Sequence, residues 1–130
     1  MLLLILCALL LLLIQVIMPS HYLTQQVGSE AQMGPRDDLP EPSQALGRSR
    51  RALANLQETL PIFLALGLLS LLFDEQGWLS LAGAGLYLVF RVAHFISYMA
   101  GLSPWRSICF LIASLGLLLM AAPLVPHIWS

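Results

Sequence analysis

Four apolar runs, each close to the length of a bilayer crossing, take up most of the 130-residue chain. A helix needs about 20 apolar residues to span the hydrocarbon core. The first run is Leu2 to Met18, closed by Pro19. The second has its apolar part from Thr59 to Phe73, which is short for a crossing, so the polar-looking turns before Thr59 must enter the membrane too. The third reaches from Trp78 to about Ala100, and the fourth from Pro104 to Val125, closed by Pro126. The expected helices are therefore residues 2–23, 45–73, 78–100 and 104–125. Charged residues make up 10% of the chain, against roughly 25% in soluble domains. With 58% hydrophobic residues, a soluble globule would lack the polar side chains to cover its surface. The expected fold is all-α, an integral membrane four-helix bundle, in a single domain over residues 1–130.

The first run reads as a retained helix rather than a signal peptide. No basic residue precedes it and no small-x-small cleavage site follows it. No small residue precedes Cys7, so there is no lipobox. Residues 24–44, rich in Gly, Pro, Ser and acids, form a loop; residues 74–77 (DEQG) and 101–104 (GLSP) are tight turns. All six basic residues are arginines: Arg36, Arg48, Arg50, Arg51, Arg91 and Arg106. Four lie in or beside the first loop, Arg106 flanks the third, and the second carries only Asp74 and Glu75. The positive-inside rule then puts loops one and three in the cytoplasm and both termini outside. The net charge of −1 gives no pull toward nucleic acid. Cys7 and Cys109 have no Cys or His at metal-ligand spacing, so both read as small apolar fillers, with no zinc site.

The polar residues inside the spans fall into two stripes. Arg48, Arg51, Asn55 and Glu58 are spaced 3, 4 and 3, which places them on one helix face. Arg91, His94 and Tyr98 are spaced 3 and 4, again on one face, and Arg106 and Ser107 open the fourth helix. Arg91 precedes Gly101 by ten residues, a rise of about 15 Å, and Glu58 is as far from Arg48. The two stripes therefore share one depth. Charges at such depth normally face a bundle interior or a watery cavity and pair with one another, and Glu58 with Arg51 or Arg91 is the natural pair. Pro61 leaves the carbonyl of Gln57 without its helical donor, which favours a kink just above Glu58. Taken singly, His94 reads as a satisfied membrane histidine and Tyr98 as an interfacial aromatic. Trp78, Trp105 and Trp129 read as belt anchors, and Gly83 and Gly85 as points of close helix contact. A charge network that merely fixes packing is the plain reading of the whole set. The excess of cations and hydrogen-bonding groups on three helices exceeds what packing requires, and suits a ligand with carboxylates.

These residues resemble the MAPEG family, the membrane-associated proteins in eicosanoid and glutathione metabolism. The family pattern R-A-x-x-N-x-x-E at the head of the second span recurs as Arg51, Ala52, Asn55 and Glu58. The pattern R-x-x-H-x-x-x-Y, followed by an Arg-Ser pair, recurs as Arg91, His94, Tyr98, Arg106 and Ser107. Length, four spans and a long first loop agree, so the resemblance covers essentially the whole chain, as a short bacterial-type member. It implies a bundle that assembles as a homotrimer in a bacterial inner membrane, with sites between subunits. It implies glutathione as co-substrate, held by Arg51, Asn55, Glu58, Arg91, His94 and Tyr98. Arg106 would face the thiol with Ser107 beside it, and a groove toward membrane lipid would admit a lipophilic small-molecule electrophile or hydroperoxide.

The sequence also departs from the pattern of catalytic members. Ala54 stands where they often carry a basic residue immediately before the Asn, and Leu53 fills the neighbouring position, where a His is often found. The first span has no Arg or Lys, only Gln15, His21, Gln25 and Gln26, and Phe110 stands where some members have Tyr. The favoured reading is a glutathione-dependent transferase or peroxidase. The alternative is a non-catalytic protein of the same fold that binds lipid or a partner protein. A small four-span transporter using Glu58 as a proton-coupled acid ranks last, because neighbouring arginines would hold that acid ionised.

Overall fold

A computed structural model describes all residues, Met1–Ser130. Its helices are α1 (Leu2–Val27), a short α2 (Ser29–Met33), α3 (Gln44–Leu72), α4 (Trp78–Ala100) and α5 (Trp105–Ala121), followed by a 3-10 helix at Ala122–Trp129. There are no strands. Four helical segments are long and apolar enough to cross a membrane, the last being α5 with its 3-10 extension. The protein is an integral membrane four-helix bundle.

The core is a seam through the middle of the bundle. Ile5, Ala8 and Leu11 from α1 meet Leu56, Leu60 and Phe63 from α3, Ala84 and Tyr87 from α4, and Ala113, Leu117 and Met120 from α5. Large apolar residues such as Leu3, Leu10, Val89, Leu111 and Leu118 point outward, as lipid requires and water would forbid. Near the middle of α3 and α4 the seam includes a polar pair, with the Thr59 and Tyr87 hydroxyls 3.0 Å apart. The Tyr87 ring stacks on Phe63 with centroids 4.6 Å apart.

α4 and α5 form the most extensive helix–helix packing in the bundle. Gly83 and Gly116 explain it. A Cβ on Gly83 would lie 2.6 Å from the Gly116 carbonyl oxygen, and one on Gly116 would lie 2.5 Å from the Gly83 carbonyl oxygen. Small residues let two backbones touch where lipid offers no hydrophobic drive for association. Gly85 differs from the sequence expectation: a Cβ there would meet nothing within 4 Å, because it sits two residues off the contact face.

Two boundaries also differ from expectation. α1 runs through Pro19 to Val27 rather than ending at residue 23. It ends at Gly28, whose φ of 88° few other residues would adopt. α3 covers Gln44–Leu72 with Pro61 inside it. The fourth span ends as a 3-10 helix containing Pro123 and Pro126, which cannot donate the bonds an α-helix needs. The loop after α1 is tied back by Gln26, whose Nε2 donates to the Glu41 carbonyl at 2.6 Å and whose Oε1 accepts from the Ser43 amide at 2.8 Å. Ser43 then caps α3, its hydroxyl accepting from the Leu46 amide at 3.2 Å. At the opposite end of the bundle, His127 in the 3-10 helix lies 2.8 Å from Glu75 in the α3–α4 turn.

Candidate functional site

The site is built where α3 begins, α4 ends and α5 begins. α4 closes with a Schellman turn: the Gly101 amide donates to Tyr98 and the Leu102 amide to Ser97. Gly101 takes φ 71°, the left-handed conformation that turn needs. It is also crowded, since a Cβ there would lie 2.7 Å from Arg48 Nη2. Arg48 Nη1 donates to the Met99 carbonyl at 3.2 Å, placing a cation on the negative end of α4. This contact fixes the start of α3 against the end of α4. Arg48 therefore acts on a neighbouring helix end, a role its place in a sequence stripe does not reveal.

One turn deeper, Arg51 on α3 has its guanidinium carbon 6.0 Å from the centre of the Tyr98 ring. Arg106 approaches the same ring from α5, at 4.9 Å. A cation in the first turn of α5 is opposed by that helix's own dipole. The Tyr98 ring face offsets this, as cation–π contact predicts. His94, one turn before Tyr98 on α4, meets that ring edge-on at 5.6 Å and is buried.

Deeper still, Arg91 is fully buried and donates from Nη1 to Asn55 Oδ1 at 2.7 Å. This bond joins the stripe on α4 to the stripe on α3. It also orients the amide: with Oδ1 taken by Arg91, the Asn55 Nδ2 remains as a donor.

Asn55, His94, Tyr98, Arg106 and Ser107 line one cavity of about 390 Å³, with Phe110 and Leu111 as its apolar wall. That volume falls within the range usual for small-molecule sites, about 300–1,000 Å³. A smaller cavity of about 180 Å³ adjoins it, with Arg48, Arg51, Tyr98 and Arg106 among its lining residues. Tyr98 and Arg106 belong to both. An apolar cavity of about 360 Å³ between the end of α3 and the 3-10 helix holds none of these groups.

Of the eight residues expected at the site, five line the larger cavity and Arg51 lines the smaller one. Arg91 stands behind Asn55 and reaches neither. Glu58 departs from expectation. It is exposed on the outer face of α3 and forms no ion pair with Arg51 or Arg91. Arg91 turns inward to Asn55 instead, so the acid is left facing out of the chain. Phe110 and Leu111 are additions, both about one turn beyond Ser107 on α5; the sequence marks Phe110 only as a departure from the family pattern, and Leu111 only by the helical register.

The MAPEG family model matches residues 1–125. The chain belongs to the MAPEG family. No curated protein and no solved structure matches it significantly. The MAPEG match spans α3, α4 and α5, the elements that line the cavity. MAPEG proteins are membrane proteins linked to glutathione and eicosanoid chemistry.

Proposed function

We propose that the protein is a glutathione-dependent membrane transferase or peroxidase acting on lipophilic electrophiles or hydroperoxides. The observation that carries this reading is the single cavity lined by Asn55, His94, Tyr98, Arg106 and Ser107. Its donors suit a small peptide with two carboxylates. The Asn55 Nδ2, the Tyr98 hydroxyl and the guanidinium of Arg51 in the adjoining cavity bind and orient the backbone of the tripeptide. Arg106 faces the thiol and favours its ionised form, as a nearby cation does; Ser107 adds a hydroxyl donor to the sulfur. The thiol proton leaves to solvent. The sulfur lone pair then forms a bond to the electrophilic carbon while the leaving group departs with its bonding pair. Phe110 and Leu111 offer the lipophilic partner an apolar wall.

The functional unit in this reading is a homotrimer. Glu58 and Arg51 are both exposed on α3 of the isolated chain. An ionised side chain facing hydrocarbon is costly, and a neighbouring copy is the cover that lets both charges find partners. With the arginine-rich end in the cytoplasm, both termini lie outside, and the cavity opens toward the compartment that supplies the thiol.

A second reading keeps the fold and drops the turnover. Ala54 is exposed beside Asn55 with no cation, and α1 has no Arg or Lys. These gaps favour a MAPEG protein that binds lipid or a partner without catalysis. Calorimetry with glutathione and a conjugation assay with a chlorinated aromatic, on wild type and Arg106→Ala, separate the two. Binding with turnover that Arg106→Ala abolishes supports the enzyme. Absence of both binding and thiol-dependent turnover removes it.

A further inference from the structure

α1 buries Ile5, Ala8, Leu11, Gln15 and Leu23. Gln15 is the polar member, 1% exposed, and neither its Oε1 nor its Nε2 has a hydrogen-bond partner. Four residues on stands Pro19, which has no N–H, so the Gln15 backbone carbonyl also lacks its helical donor. The first span thus buries a side-chain amide with neither atom matched, beside a backbone carbonyl without its usual helical donor. Arg91 has the opposite deficit. It is 0% exposed, and its Nε and Nη2 have no acceptor. Unmatched buried donors and acceptors are costly in any interior, and more so for a charged donor.

The helix register brings the two deficits to one layer. Ile5 lies against Gly67 and Gln26 against Ser43 on the antiparallel α3, which counts Leu11 level with Leu60. Tyr87 meets Thr59 and Phe63 on α3, so Leu11, Leu60 and Tyr87 share one layer. One turn further toward the arginine-rich end, α1 presents Gln15, α3 presents Leu56 and α4 presents Arg91. All three are buried, at 1%, 0% and 0% exposure. α1 packs against both α3 and α4. Acceptors without donors and donors without acceptors therefore occupy the same layer of the bundle.

We propose that Gln15 and Arg91 form one hydrogen-bonded unit inside the bundle, with Gln15 Oε1 accepting from the inward N–H groups of Arg91 directly or across one bound water. Gln15 is then a positioning residue. It holds the guanidinium with Nη1 toward Asn55, so that the Asn55 amide keeps its Nδ2 free for a ligand. The hydrogen-bonded unit stands independently of the transferase reading; only the consequence for ligand binding rests on it.

The sign of one stability change tests this. Replacing an orphan buried amide by an apolar side chain is neutral or stabilising; replacing the partner of a buried guanidinium is destabilising. Thermal unfolding in detergent, without glutathione, is compared for wild type, Gln15→Leu, Arg91→Met and the double variant. The expected result is a lower Tm for Gln15→Leu and a much smaller loss when Arg91 is already Met. With isotope-labelled arginine, the Arg91 Nε–H resonance, assigned by its loss in Arg91→Lys, is expected to shift and exchange faster in Gln15→Leu. Gln15→Glu restores an acceptor and is expected to recover both the Tm and slow exchange. If Gln15→Leu does not fold, Gln15→Glu decides alone: a wild-type-like Tm with a protected Arg91 Nε–H supports the unit, and loss of folding overturns it. A Tm that rises or stays level in Gln15→Leu, additive losses, or an unmoved Arg91 resonance also overturns it. None of these readouts needs a thiol, so an inactive protein leaves the test intact.

Discussion

Arg91 Nη1 and Asn55 Oδ1 meet at 2.7 Å, joining α4 to α3 through a guanidinium with no exposed surface. The pair does two things at once. It satisfies part of a charge buried at membrane depth, and it fixes which side of the Asn55 amide faces the cavity. Packing and the site thus share one bond.

Asn55→Leu is expected to destabilise the protein by about 1.5–3 kcal/mol, the scale for a hydrogen bond to a charged group. The same variant is expected to lose ligand binding, since it removes Nδ2 as well. Asn55→Asp supplies a charged acceptor to Arg91 and is expected to retain stability while still losing the Nδ2 donor. Thermal unfolding in detergent beside glutathione calorimetry checks the split between the two effects.

The ring of Tyr98 carries a separable role. Arg106 lies 4.9 Å from its centre, so the ring, rather than the hydroxyl, positions that guanidinium. Tyr98→Phe is expected to leave Arg106 in place. Tyr98→Leu removes the cation–π contact, worth about 0.5–1 kcal/mol at a partly exposed site, and is expected to weaken glutathione binding about two- to fivefold beyond Tyr98→Phe. Equal affinities for the two variants would show that the ring face does not hold Arg106.

Glycine substitutions test the backbone contact that sets the α4–α5 spacing. Gly83→Ala drives a methyl group to 2.6 Å from the Gly116 carbonyl oxygen, and is expected to cost about 1–3 kcal/mol as overpacking. Gly85→Ala meets nothing within 4 Å and is expected to be neutral or slightly stabilising, because alanine is the better helix former. Unfolding midpoints of the two variants check the contrast.

Much of this was legible in the sequence because apolar runs and helix periodicity are local signals. The third span, Trp78–Ala100, has the bounds expected from its pattern. Counting residues puts Glu58 at the depth of Arg91, whereas the structure joins Arg91 to Asn55, one turn from Glu58 on the same stripe, by a hydrogen bond. What was not legible depends on rotation and partner choice. Counting gives the depth of Glu58 but not its direction, and it faces outward while Asn55 takes Arg91. Gly83 and Gly85 are alike in sequence, but only the former faces Gly116. Pro19 closes the first apolar run, yet α1 runs on to Val27. The burial of Gln15 was invisible, since a lone glutamine in an apolar run reads equally as facing lipid headgroups or facing the core.

Glu58 tests assembly. It is exposed at a membrane depth where it forms no ion pair within its own chain. A carboxylate near the middle of a membrane helix carries about 2.5–3.5 kcal/mol of insertion cost. If Glu58 faced lipid in the working protein, Glu58→Leu would remove that cost and stabilise it without changing its association. If a neighbouring copy covers Glu58 and supplies its cation, the same substitution leaves a guanidinium buried at an interface without its counter-charge, which is strongly destabilising. The expected outcome is therefore a shift of Glu58→Leu from trimer toward monomer in detergent, with Glu58→Gln intermediate because it keeps a hydrogen-bond acceptor. Native mass spectrometry or light scattering reads the oligomer directly. A Glu58→Leu protein that stays trimeric and melts at a higher temperature than wild type would place this acid against lipid and remove the reason for the neighbour.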